Sequence, residues 1–177
     1  MSMNIPNLLT VARVLLVPGM VICLVNNNFQ AAFIIFVVAG ATDGLDGMVA
    51  KLFNQATELG AFIDPVADKL LIDTASLTLA IQGVFPVWLA VLIVSRDLII
   101  LLGMGVLMHT GKDFVIRPHL DSKITTVAQL ATIAFFLGEE IFHLPSLWGE
   151  YLIMATALCT VFSGIRYIIV GLRIIEE

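Results

Sequence analysis

Apolar residues fill this chain in runs as long as a helix, and polar residues collect in the gaps between them. A helix that crosses a bilayer needs about 20 mainly apolar residues. Six stretches fit that measure: 8–25, 29–52, 57–81, 86–108, 122–138 and 147–171. The gaps carry turn chemistry. Asn26-Asn27-Asn28 closes the first run, Asn54-Gln55-Ala56 parts the second from the third, and Gln82-Gly83 with Pro86 parts the third from the fourth. Residues 109–121 are polar, with His109, Lys112, Asp113, Arg117, Pro118, His119 and Asp121, and Glu139 to Pro145 separates the last two runs. The fifth run is short and holds Thr125, Thr126 and Gln129. The pattern predicts an all-α fold, a six-transmembrane-helix bundle forming a single domain over 1–177, without repeats or low-complexity linkers.

Composition agrees. Hydrophobic residues make up 59% of the 177 and charged residues 13%, with mean hydropathy +1.02. A soluble domain has roughly 45–50% apolar and about 25% charged residues. An integral membrane protein is expected. The net charge of −5 argues against nucleic acid as a partner. Cys23 and Cys159 lie in apolar runs, far from each other and from any histidine, and read as small hydrophobes. The first run is broken by Pro18 and leads into three asparagines without a small-residue cleavage site, so it reads as a retained helix, kinked at Pro18. Trp88 and Trp148 stand at span starts, as interfacial residues do. His109, His119 and His143 have no ligand spacing and read as surface histidines; the methionines read as packing.

Lys and Arg set the orientation. The links 26–28, 82–85 and 139–146 contain none, whereas Lys51, Lys112, Arg117 and Arg173 fall toward the other side. Both termini are therefore expected in the cytosol, with the second helix descending to it and the third climbing back.

Four aspartates break the apolar background: Asp43 and Asp46 in the second run, Asp64 and Asp68 in the third. Carboxylates at membrane depth are costly and mark functional sites. Spacings of three and four residues put each pair on one helix face. The two helices turn near 54–56, with Asp46 and Asp64 about equally far from the turn and Asp43 and Asp68 one tier deeper. At ~1.5 Å per residue the tiers are roughly 4.5–6 Å apart, close to the ~3.5–4 Å of a two-metal site. An all-carboxylate set suits two ions of Mg²⁺ or Mn²⁺, with no His or Cys to favour a softer metal. Gly in a helix costs about 1 kcal/mol against Ala. Gly40 and Gly44 read as close helix packing; Gly47 and Gly60, beside the carboxylates, read as room for a ligand.

Written out, Asp43-Gly-Leu-Asp46-Gly47-Met-Val-Ala50-Lys51, eight residues, then Gly60-Ala-Phe-Ile-Asp64-Pro-Val-Ala-Asp68 resembles the signature of the CDP-alcohol phosphatidyltransferases. Asn4-Ile-Pro-Asn7-Leu-Leu-Thr10 with Arg13 is similar to the opening of the bacterial glycerophospholipid branch, and Asp64-Pro-Val-Ala-Asp68-Lys69-Leu-Leu to its third helix. One position departs: the family's Arg is Lys51 here, a point charge in place of a bidentate fork. The resemblance implies a polar cavity open to the cytosol and laterally to lipid, and a CDP-diacylglycerol donor whose diphosphate meets two metals held by Asp43, Asp46, Asp64 and Asp68. It implies contact of Gly47, Lys51 and Thr57 with the cytidine diphosphate group. Asp68 matches the aspartate that takes the proton of the acceptor hydroxyl, which attacks the lipid-side phosphorus and expels CMP. A homodimer in a bacterial cell membrane is implied as well.

The resemblance implies an acceptor of glycerol type, ahead of inositol- and serine-type ones. Ser95-Arg96-Asp97 and the stretch from Arg117-Pro118 through Ser122-Lys123 to Gln129 look similar to the branch that uses glycerol 3-phosphate or phosphatidylglycerol. Arg96, Arg117 and Lys123 are the residues expected to bind it. Many glycerol 3-phosphate enzymes carry a second basic residue where this chain has Met104, which inclines the reading toward phosphatidylglycerol. Arg96 at midspan needs a partner: Asp97, another acid, or an acceptor phosphate. A divalent-cation transporter is the alternative class, but its polar trail would continue into the outer halves of the helices, which hold none.

Overall fold

The computed structural model describes residues 5–53, 58–109 and 120–176, with side-chain surroundings for 15–42, 69–103, 105, 121–139 and 141–171. Among the described residues the chain is all helix, without a strand. It comprises α1 (Ile5–Val25), α2 (Phe29–Phe53), α3 (Glu58–Ile81), α4 (Val87–His109), α5 (Leu120–Phe142) and α6 (Ser146–Glu176). The six apolar runs thus become six helices. α1 continues through Pro18 as one element. α5 is longer than its apolar run at both ends, because Leu120, Asp121 and the turn after Gly138 join the helix.

The three links expected on one side are built alike. Asn27 (φ 56°), Gly83 (φ 77°) and His143 (φ 50°) each take a left-handed backbone just past a helix end. The following amide then reaches back to the last turn: Asn28 N–H to the Cys23 carbonyl at 2.8 Å, Val84 to Leu79 at 3.0 Å, Leu144 to Glu139 at 3.2 Å. This is the Schellman closure, which satisfies orphan carbonyls. Asn28 also caps α2, its Oδ1 accepting from the Ala31 amide at 3.1 Å. Pro86 and Pro145 precede α4 and α6, where a missing amide proton does no harm.

These links gather at one end. The Gln82 side-chain amide donates to the Leu24 carbonyl, tying the end of α3 to the end of α1. Phe33 near the start of α2 meets Phe142 at the end of α5 edge-on, at 5.6 Å between centroids. Phe85 before α4 meets Phe136 of α5 at 5.3 Å. Consecutive helices therefore alternate in direction.

α3 is the central helix, packed on α1, α2, α4 and α5. Its buried face carries Leu71, Ile72, Ala75 and Leu79, against Met20 and Leu24 of α1 and Ile133 and Leu137 of α5 within one apolar cluster. Ala32, Ala39 and Ala90 are also fully buried, the small residues that bring membrane helices close. The outward faces are apolar: Leu15, Leu102, Trp148 and Leu158 are all more than half exposed. One helix among the described residues meets the full length-and-hydropathy measure of a span, α6 over Ser146–Gly171 with mean hydropathy 1.8; Leu15–Val25 and Phe29–Thr42 are shorter apolar stretches.

Candidate functional site

The aspartates fall on two helices that are consecutive in the chain and touch each other. Asp43, Asp46, Gly47 and Lys51 lie on α2, and Gly60, Asp64 and Asp68 on α3, either side of the link 54–57. Asp46 and Asp64 stand at nearly equal distances from that link. The side chains of these seven residues lie outside the described residues, as do Thr57 and Arg117 altogether.

The structure shows what stands beside Asp68. Its neighbour Lys69 crosses from α3 to α4, where its Nζ donates to Oδ1 of Asp97 at 2.8 Å. The same oxygen accepts from Arg96 Nη1 at 2.5 Å. Arg96 is 4% exposed and Asp97 1%. Arg96 Nη2 goes on to donate to Ser122 Oγ of α5 at 2.9 Å and to Ser163 Oγ of α6 at 2.8 Å. A chain of charge and hydroxyl thus joins α3, α4, α5 and α6 at one level. Gly164 lies beside the Arg96 stem: a Cβ there would meet its Cγ at 3.7 Å, an ordinary contact.

A buried guanidinium needs partners, and each one here has a physical reason. Burying an unpaired charge costs several kcal/mol, so Asp97 supplies the counter-charge and the serines take up further N–H groups. Ser122 lies within the first turn of α5, whereas α4 runs on past Arg96 to His109 and α6 past Ser163 to Glu176. At 1.5 Å per residue both continue for about 20 Å beyond the level at which α5 begins. Lys123 is exposed beside Ser122. Asp121 is paired with Arg166 of α6.

Of the residues expected to hold an acceptor, Arg96 and Lys123 are therefore brought to the start of α5, at the level of Asp68's neighbour on α3. Among the partners open to Arg96, the structure supplies Asp97. Sequence reasoning did not single out Lys69, Ser163 or Asp73. Lys69 gave the same signal as Arg96, a cation inside an apolar run. Ser163 gave none, since a lone serine in α6 does not reveal which helix it faces. Asp73, one turn beyond Lys69, has its Oδ1 buried without a partner among the described residues. His143 is an exposed link residue, His109 ends α4, and both cysteines are free and half-buried. Trp88 and Trp148 are exposed at the starts of α4 and α6.

The chain is 34% identical to a probable cardiolipin synthase (CMP-forming) of Drosophila melanogaster, over 94% of this chain and 57% of that protein. It is equally identical to a CDP-diacylglycerol–glycerol-3-phosphate 3-phosphatidyltransferase of Escherichia coli (strain K12), over 95% of this chain and 94% of that one. A protein of the same name in Shigella boydii serotype 4 (strain Sb227) matches to the same extent. The chain thus spans little more than half of the insect protein and nearly all of the bacterial ones. The family model for CDP-alcohol phosphatidyltransferase matches residues 3–162, which takes in both aspartate pairs and the Lys69–Asp97–Arg96 chain. On that match and those relatives, this chain belongs to the CDP-alcohol phosphatidyltransferase family and is an enzyme of phospholipid biosynthesis.

Proposed function

We propose that the chain moves the phosphatidyl group of CDP-diacylglycerol to the hydroxyl of a glycerol-type acceptor and releases CMP, in the cytosolic half of a membrane. One observation supports the reading: the two aspartate pairs lie on α2 and α3, which touch, and Asp68 is followed directly by Lys69, whose side chain joins the charged centre of Asp97 and Arg96. The relatives named above are named for glycerol 3-phosphate or as cardiolipin synthase; the two acceptors proposed are glycerol 3-phosphate and phosphatidylglycerol.

Asp43, Asp46, Asp64 and Asp68 form an all-oxygen donor set that suits two ions of Mg²⁺ or Mn²⁺. Such ions, when bound, neutralise charge on the diphosphate oxygens and steady the leaving group. The rest falls to the chain. Gly47 and Gly60 let the cytidine diphosphate approach the backbone, and Lys51 and Thr57 bind it. Asp68 takes the proton from the acceptor hydroxyl. That oxygen bonds to the lipid-side phosphorus, and the bond from this phosphorus to the CMP oxygen breaks, its electron pair leaving with CMP. Arg117 and Lys123 offer positive charge to the acceptor, and Arg96 sets a fixed charge beside them.

The setting is a single multi-pass domain with cytosolic termini in a bacterial cell membrane. The shortest of the helices, α1, has 21 residues. At 1.5 Å per residue it is about 31 Å long, matched to a hydrocarbon core of about 30 Å. The apolar outer faces suit lipid, and the start of α5, recessed between α4 and α6, suits a cavity open to the cytosol. The homodimer rests on resemblance alone.

Purified protein given labelled CDP-diacylglycerol and Mg²⁺ or Mn²⁺, with each acceptor in a separate reaction, tests the reading. CMP release with one acceptor is expected, the lipid product being phosphatidylglycerophosphate or cardiolipin. EDTA stops the reaction and added Mg²⁺ restores it. No CMP with either acceptor overturns the proposal.

A further inference from the structure

Resting on the transfer reading, we propose that Lys69 is a positioning residue: through Asp97 on α4 it fixes the rotational setting of α3, and so the direction in which Asp64 and Asp68 are presented. The route of its side chain is the first observation. Lysine in a membrane helix usually runs its stem to the interface. The Lys69 side chain is instead only 18% exposed and turns inward to the buried carboxylate of Asp97. It also passes over a local acceptor. Asp73 is four residues along the same helix, within ordinary reach, yet its buried Oδ1 has no partner among the described residues while Lys69 crosses to α4.

Charge balance does not require this crossing. Arg96 already pairs with Asp97 at 2.5 Å, on the same oxygen that Lys69 uses. Buried ion pairs add little net stability, and their best-attested use is to fix register. Here the register is rotational. Successive helix residues turn by about 100°, so holding residue 69 sets where residues 64 and 68 point. A turn of about 20° moves a group about 6 Å from the axis by roughly 2 Å, well beyond the ~0.5 Å tolerance of a working site. Arg96, tied to Ser122 and Ser163, anchors the far end of the strut to α5 and α6.

Lys69→Met tests this cleanly, because it keeps the stem and leaves Asp97 paired with Arg96. Turnover is expected to fall at least ten-fold, and Mn²⁺ binding, read by electron spin resonance without substrate, to weaken about ten-fold. The melting temperature stays within a few degrees. Lys69→Arg, which still reaches Asp97, restores both to within about three-fold. Asp97→Asn loses at least as much turnover and Mn²⁺ binding and also lowers the melting temperature, because it leaves the buried Arg96 without its counter-charge; adding Lys69→Met to it costs no further turnover or Mn²⁺ binding. Turnover and Mn²⁺ binding within two-fold of wild type in Lys69→Met overturns the proposal, as do losses that multiply in the double variant. Losses that track melting temperature across all four variants also overturn it. A wild type that binds Mn²⁺ in a Lys69-dependent way but releases no CMP sinks the transfer reading alone.

Discussion

Asp68 and Lys69 are adjacent in the chain, and their proposed tasks diverge: one handles a proton, the other holds a helix still. Positioned acid–base groups contribute about 10²–10⁴-fold to rate. Asp68→Asn keeps the shape and loses the basic oxygen, so CMP release should fall by that factor with expression unchanged. Turnover near wild type would remove Asp68 from the reaction. Arg96 shows what an isolated residue does and does not disclose. A guanidinium at midspan announces its need for partners, and Asp97 was open to sequence reasoning as one of them. Its two serines were not, because spacing along one helix says nothing of which neighbours it faces. Adjacent residues on a helix do not normally point at each other; the planar, many-donor fork of arginine lets one Nη reach Asp97 while the other spans to α5 and α6, which a single ammonium could not do.

Between elements, polar and small residues decide how α5 and α6 meet. Thr132 and Thr156 share a hydrogen bond at 2.7 Å, Gln129 Nε2 donates to Thr160 at 3.3 Å, and Thr125 reaches the Cys159 carbonyl at 3.1 Å. Thr125 and Gln129 made the fifth apolar run the least convincing as a span, yet they lie on the buried face of a full helix. A hydropathy window counts them against a span, whereas a neighbouring helix satisfies them. Such bonds are worth little, about 0.6 kcal/mol on average, because the separated helices also find partners. Gly149 of α6 is the tighter constraint. A Cβ there would meet Phe135 Cε1 at 3.1 Å and Phe136 Cζ at 3.4 Å, and Phe136 is already held edge-on by Phe85 and Phe135. Thr156→Val should therefore lower stability by less than about 1 kcal/mol, and Gly149→Val by about 1–3 kcal/mol through overpacking. Unfolding of the purified protein in detergent measures both; a larger loss from Thr156→Val would reverse the ranking of bond over fit.

For the whole molecule, one end has links free of Lys and Arg, and that asymmetry is legible in the sequence. The links free of Lys and Arg, 26–28, 82–85 and 139–146, do gather at one end, tied by Gln82 to Leu24 and by Phe33 to Phe142. The apolar runs and turn residues sufficed for this because each link closes its helix locally, at Asn27, Gly83 and His143. The aspartate pairs were legible for a similar reason: their spacing is a property of single helices. What escaped was contact between helices, Lys69 to Asp97 above all, which no periodicity encodes. The positive-inside rule predicts that the end opposite these links faces the cytosol, and labelling tests it directly. In a background with Cys23→Ala and Cys159→Ala, single cysteines at Asn27 and His143 should react with a membrane-impermeant maleimide in intact cells. Glu176→Cys should react only after the membrane is opened. The reverse pattern would put the basic end outside, where a nucleotide-linked donor made in the cytosol could not reach α2 and α3. The proposed transfer would then fail at the level of the whole molecule, even if every residue in it were correctly placed.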